Sequence, residues 1–155
     1  KLIASFGVWA SLVGGTYMKS RSELRDVIIT IIYQSYIMEV ANLPVSIDKL
    51  IDDQPDIYKN EEFVIKMCKG IHKNQEKISK IANKYLNNWT IDRLSKVDKA
   101  ILSLGIYELL YTKTPSIVAI NEAIELSKKY SDEDVTKMIN ACLDKIYHEE
   151  IKEEK

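Results

Sequence analysis

Two arginines, Arg21 and Arg25, stand four residues apart in the stretch SRSELRD, a spacing that places them on one face of a helix. A guanidinium donates two parallel hydrogen bonds from a rigid plane, so such a pair suits phosphate oxygens and base edges. With Lys19 they make a basic mouth to the first helix, although two arginines alone also describe an ordinary solvated surface. A second basic feature is the series Lys66, Lys69, Lys73, Lys77, Lys80 and Lys84. Its spacing follows one helical face, read here as the wet side of two amphipathic helices, with phosphate tracking as the functional alternative. A third feature is polar: Asn121 and Glu122 lie side by side within SIVAINEAIEL, where Ile117, Ile120, Ile124 and, just beyond, Ser127 follow one apolar stripe with Val118, Ala119, Ala123 and Leu126 beside it. Such a pair serves catalysis, a partner, or local structure.

Catalysis finds no support around them. The chain has no glycine-rich phosphate loop, no GxSxG elbow and no nucleophile with a base nearby in sequence. The acidic stretch SDEDVTKMINACLD lacks the central glycine and closing glutamate of a calcium loop, so helix capping explains it better. His72 and His148 are isolated, and Cys68 and Cys142 have no partner at metal-ligand or CxxC spacing. The cysteines therefore read as reduced core residues of a cytoplasmic protein. No cofactor, no catalytic metal and no enzyme is expected.

The elements that must position these residues are helices. From Met18 onward no segment alternates apolar and polar residues with a period of two, and the three prolines sit where helical periodicity lapses. Ser20 and Glu23 make a capping box for a helix to about Ala41, with Val27, Ile28, Ile31, Ile32, Ser35 and Tyr36 inward. A short helix follows Ser46. Residues 61–72 form a third, with Phe63, Val64, Met67, Cys68 and Ile71 on one stripe, and Gly70 and Asn74 break it before the next. Asn74 is expected to cap that next helix. Ser95 and Asp98 cap a helix over 96–111 that is apolar almost all round, hence central and buried. The helix holding Asn121 and Glu122 ends near Tyr130. The last starts at SDED, an acidic first turn suited to the helix dipole, with Val135, Met138, Ile139, Cys142 and Ile146 inward. The expectation is an all-α protein, a bundle of about seven helices.

At 155 residues, with 46% hydrophobic and 29% charged residues and a net charge of −1, the chain has the composition of an ordinary globular domain. The charge is uneven: residues 61–100 carry a net +4 and residues 101–155 a net −4, so a local basic face is compatible with a neutral total. Residues 1–17, KLIASFGVWASLVGGTY, are too short to span a bilayer. They are read as a leader or extension outside the fold, with residues 18–147 as the helical domain and 148–155 as a frayed, charged C-terminal tail. No membrane association is expected.

The C-terminal half carries a more specific pattern. Trp89, then RLSKVDKAILSLGIYELL, TPSIVAINEAIELSKKY and INACLDKI, together with SRSELRDVIITIIYQ at the front, resembles the NusB family of bacterial transcription antitermination factors. The likeness runs from Met18 to Tyr147 and is weakest between Ile37 and Gln75. It implies two packed helical subdomains and no enzymatic activity. It also implies binding to boxA-type single-stranded RNA of ribosomal-RNA operon transcripts, with ribosomal protein S10, within an RNA polymerase antitermination complex. Carried over by position, the RNA-binding residues are Lys19, Arg21, Arg25, Lys99, Lys137 and Met138, and the S10 contacts Asp98 and Asp134. The sequence leaves room for a homodimer. Three positions depart from the family pattern: Ser103 replaces an arginine, Met138 an aromatic residue and Ala141 a glycine. Loss of an aromatic removes a stacking platform worth about 1–3 kcal/mol per base, which implies weaker RNA binding or greater dependence on S10. Asn121 and Glu122, within the family signature, read as a partly buried pair satisfying backbone groups at the start of their helix.

Two other functions compete: an interaction module of this fold without sequence-specific RNA binding, and an accessory domain of a ribosomal-RNA cytosine methyltransferase. The sparse arginines favour the module. The charged tail reads as an end with no catalytic domain expected beyond it, which ranks the accessory role last.

Overall fold

Ser20 sits in extended backbone, and its Oγ accepts from the Glu23 amide at 3.0 Å, which starts the first helix where the capping box predicts it. In the computed structural model, residues 19–155 are described; the leader expected over residues 1–17 lies outside them. Among the described residues the chain forms eight α-helices and no strand. They are α1 (Arg21–Val40), α2 (Ile47–Asp52), α3 (Asp56–Lys59), α4 (Glu62–Lys73), α5 (Gln75–Tyr85), α6 (Lys96–Tyr111), α7 (Ser116–Tyr130) and α8 (Glu133–Glu150), with a 3₁₀ turn at Ile91–Arg93 before α6. The eighth helix, unforeseen, is α3: a single turn after Pro55 is too short to show a period. The chain divides into two units, one ending at Lys69 and the other spanning Gly70–Lys155.

In the first unit, α1 buries the whole expected face, Val27, Ile28, Ile31, Ile32, Ser35 and Tyr36, and adds Leu24 and Ile29. Its end is closed by Asn42, whose φ of 57° is left-handed. The Asn42 amide donates to the Glu39 carbonyl and the Leu43 amide to the Met38 carbonyl, the paired bonds of a Schellman cap with asparagine in the place glycine usually takes. The short α2 begins at Ser46, whose Oγ accepts from the Lys49 amide, and packs on α1. Tyr58 of α3 is fully buried and donates its hydroxyl to the Glu23 carboxylate.

In the second unit, α6 is the central helix. Ser95 caps it by accepting from the Asp98 amide, and every residue from Ala100 to Ile106 is buried. It packs against α5, α7 and α8. Gly105 marks the closest approach, since a Cβ there would lie 3.1 Å from Ala123 Cβ and from Leu143 Cδ1. Two polar groups inside α6 are satisfied: Ser103 accepts from Gln75 Nε2 at 3.1 Å, and the Glu108 carboxylate accepts from Thr114 Oγ1 at 2.9 Å. Asp132 caps α8 through the Val135 amide at 2.9 Å, with Glu133 and Asp134 in the first turn, as the dipole argument expects.

Four local expectations fail. Gly70 does not break α4, which runs on to Lys73. Asn74 makes no side-chain cap for α5; its Nδ2 instead donates back to the Gly70 carbonyl and closes α4. On α7 the buried stripe is Ser116, Ala119, Ala123, Leu126 and Ser127, while Ile117 is 69% exposed. Asn121 and Glu122 stand a turn and a half into α7, Asn121 exposed and Glu122 half-buried, not at the helix start. The last helix also continues to Glu150, where the Glu150 carboxylate accepts from the Tyr85 hydroxyl and pairs with Lys84.

Candidate nucleic-acid interface

The three basic residues of the first unit have unequal surroundings. The Arg21 guanidinium lies 4.1 Å from the centroid of the Phe63 ring, and that of Arg25 lies 5.5 Å from it. The i, i+4 spacing therefore does bring both to one face, and the α4 ring beneath them holds both. Arg21 is exposed, but Arg25 is only 3% exposed. Lys19 pairs with Glu61 at 3.1 Å. Arg21 is thus the cation of this group most available to an anionic ligand. Phe63 is the residue that sequence reasoning missed in this role. It was placed on the inward stripe of its helix, and nothing in its spacing indicates that its ring lies under two guanidinium groups.

The second unit gathers Met138, Asp98 and Asp134 around one groove of about 270 Å³, whose other walls include Trp89, Arg93 and Val135. Met138 and Val135 were expected to face inward and are instead half-exposed here. Trp89 is 47% exposed, and the Arg93 guanidinium lies 5.7 Å from its ring centroid. Asp98 is buried and accepts from the Ser131 hydroxyl, so its carboxylate already ties α6 to the end of α7. Asp134 is exposed. Lys99 pairs with Asp92 at 3.0 Å. Lys137 is exposed and opens on a neighbouring groove with Lys128, Ser131 and Asn140. Ser103, expected from the resemblance to stand in place of an arginine, is fully buried and accepts from Gln75, so it forms an interior contact.

The lysine series is partly neutralised. Lys66 pairs with Glu62, Lys69 with Asp48 and Lys84 with Glu150, while Lys73, Lys77 and Lys80 are exposed. The cysteines sit in the core, and burial pushes the Cys68 thiol up and the Cys142 thiol up to about 12. Among the described residues no cluster of histidine, cysteine, aspartate or glutamate is placed to hold a metal ion, and no helix is long and apolar enough to cross a membrane.

Comparison with known proteins identifies the fold. The model of the NusB family matches residues 22–148. The transcription antitermination protein NusB of Methylacidiphilum infernorum is 40% identical over 130 residues, 83% of this chain and 91% of that protein. NusB of T. maritima superposes with a TM-score of 0.76 at 28% identity, covering 86% of this chain and 94% of that one. A chain from a structure of the antitermination factors NusB and NusE in complex with dsRNA shares the fold, with a TM-score of 0.68 at 24% identity, over 85% and 98% of the two chains. Matched along most of its length in both sequence and fold, the chain belongs to the NusB family of transcription antitermination proteins.

Proposed function

We propose that this protein acts in transcription antitermination by binding boxA-type single-stranded RNA together with ribosomal protein S10, in the cytoplasm and as part of an RNA polymerase complex. The observation that carries the RNA half is Arg21, an exposed guanidinium held over the Phe63 ring at the mouth of α1. A guanidinium held in this way loses less freedom when it meets a phosphate or base edge than a free side chain does. Lys137, exposed on the first turns of α8, adds a second phosphate contact. The protein half draws on family membership. No step in this function calls for a catalytic group.

One specific observation favours the alternative of a protein-interaction module. Of the five cations proposed for RNA, Arg25 is buried and Lys19 and Lys99 are already paired with carboxylates. The test is fluorescence anisotropy of labelled boxA-type RNA and a scrambled RNA, with and without purified S10. Selective binding that tightens with S10 is the expected result. Equal, salt-labile binding to both RNAs refutes sequence-specific recognition, and no RNA binding even with S10 leaves the interaction module.

A further inference from the structure

The joint between α4 and α5 is one residue wide: α4 runs to Lys73 and α5 starts at Gln75. The Asn74 amide donates to the Gly70 carbonyl and the Ile78 amide to the Asn74 carbonyl, so helical bonding to the carbonyl four residues back carries across it. Lys73, Lys77 and Lys80, all in the second unit, therefore follow one another at intervals of about 6 and 4.5 Å along the axis. They are exposed, while Ile78 and Ala82 take the packed side of α5. These three differ from the rest of the lysine series. Lys66, Lys69 and Lys84 each meet a carboxylate, whereas among the described residues no ion pair reaches Lys73, Lys77 or Lys80. Glu76 is the one carboxylate between Gly70 and Tyr85, a stretch of net charge +3, and it pairs with none of them. Like charges three and four residues apart weaken the helix that carries them. An ordinary solvated face intersperses carboxylates at those intervals, as Glu62 does for Lys66. A row of bare ammonium groups is instead an arrangement that a polyanionic strand neutralises, with release of its counterions.

We propose that Lys73, Lys77 and Lys80 form a separate, sequence-blind contact for RNA, holding phosphates of nucleotides that flank the boxA-type element. The inference rests on the RNA-binding reading above and adds to it a surface that contains none of the residues named there for the element itself. Ammonium groups recognise phosphate as point charges, and no guanidinium or aromatic ring lies between these three in the sequence to read a base. The occupant is RNA and not a folded partner because the centres of protein interfaces are depleted in lysine and enriched in apolar and aromatic side chains.

The test measures, by fluorescence anisotropy with S10 present, the affinity of the full chain for a boxA-type RNA and for the same RNA extended on both sides by a uridine tract. The titrations are repeated with Lys73→Gln/Lys77→Gln/Lys80→Gln, since glutamine nearly matches the helix propensity of lysine. A control makes the same charge change at other exposed lysines, Lys113→Gln/Lys145→Gln/Lys152→Gln, and the S10 affinity of each protein is measured alongside. The unsubstituted protein and the control should bind the extended RNA more tightly than the short one. That margin should have a log–log salt slope of about 2, so that it shrinks about 20-fold between about 50 and 200 mM salt. In the Lys73/Lys77/Lys80 variant the margin should vanish while affinity for the short RNA holds. Equal binding of the two RNAs by the unsubstituted protein overturns the inference, as does a margin that survives in the variant or is lost equally in the control. A variant that keeps the margin and loses S10 affinity assigns the row to a protein partner and likewise overturns it. Absence of binding to either RNA by every protein refutes the underlying functional reading and the inference with it.

Discussion

Gly70 lies within α4, where alanine is ordinarily better by about 1 kcal/mol because glycine loses more backbone freedom on entering a helix. The structure reverses that expectation. A Cβ at Gly70 would fall 1.9 Å from Tyr107 Oη and 2.2 Å from Tyr107 Cζ, an overlap that only movement of the ring relieves. Tyr107 is not free to move without loss, since it stacks on Tyr111 with ring centroids 5.1 Å apart and planes 14° apart. Overpacking of this kind costs about 1–3 kcal/mol. Set against the helix gain, Gly70→Ala should lower stability by up to about 2 kcal/mol, and should not raise it. In a Tyr107→Ala background the obstruction is gone, and the same substitution should raise stability by about 1 kcal/mol. Urea denaturation of the four proteins, followed by circular dichroism, gives the coupling directly. Equal stabilisation in both backgrounds would refute the close approach, and with it the reason for a glycine at a helical position.

Three further outcomes can be checked independently. Arg21→Ala should reduce the salt dependence of RNA binding by about 0.7 in the log–log slope, whereas Arg25→Ala, at a buried position, should lower the melting temperature; a reversed pattern would contradict the placement of the two guanidiniums. The hydrogen bond from Tyr85 holds the Glu150 carboxyl below its ordinary 4.5, and its acceptor holds the Tyr85 hydroxyl above its ordinary 10.0. The carboxyl contribution is therefore lost as pH falls through the lowered value, and the phenol contribution as pH rises through the raised one. The stability difference between wild type and Glu150→Gln should thus be largest between these limits and shrink beyond each, and a difference constant with pH would show that the contact does not form. Finally, Cys68 and Cys142 should resist a disulfide reagent at pH 8 in the native protein and react in denaturant, because burial keeps both protonated; rapid labelling of either in the native state would contradict its core position.

Helix boundaries were legible because local chemistry sets them. Ser20, Ser46, Ser95 and Asp132 each accept from a backbone amide three residues ahead, and a short polar side chain before an apolar run announces that bond in the sequence. The central position of α6 was legible for a related reason: a helix apolar on every side has no stable place except among other helices. Asn74 was misread because its amide has both donors and an acceptor, and the sequence does not say whether the helix before or after it claims them. Ile117 was misread because periodicity fixes a stripe only to within a residue when small residues share it. Packing close to α6 at Gly105 favours Ala119 and Ala123 at the contact, and this rotates Ile117 outward.

Charge was the least legible property, because a cation's availability depends on neighbours distant in sequence. Spacing put Arg21 and Arg25 on one face, and both do lie over Phe63, yet one is exposed and the other buried. Lys19 meets Glu61 across 42 positions, Asp98 meets Ser131 across 33, and Met138 shares a groove with Trp89 from the far side of α6. A motif therefore names candidate residues in this fold without ranking their exposure or pairing. The family pattern marks Met138 as the place where an aromatic is missing. Only the fold reveals that the half-exposed indole of Trp89 borders the same groove as Met138, a neighbourhood set by packing and not by sequence distance.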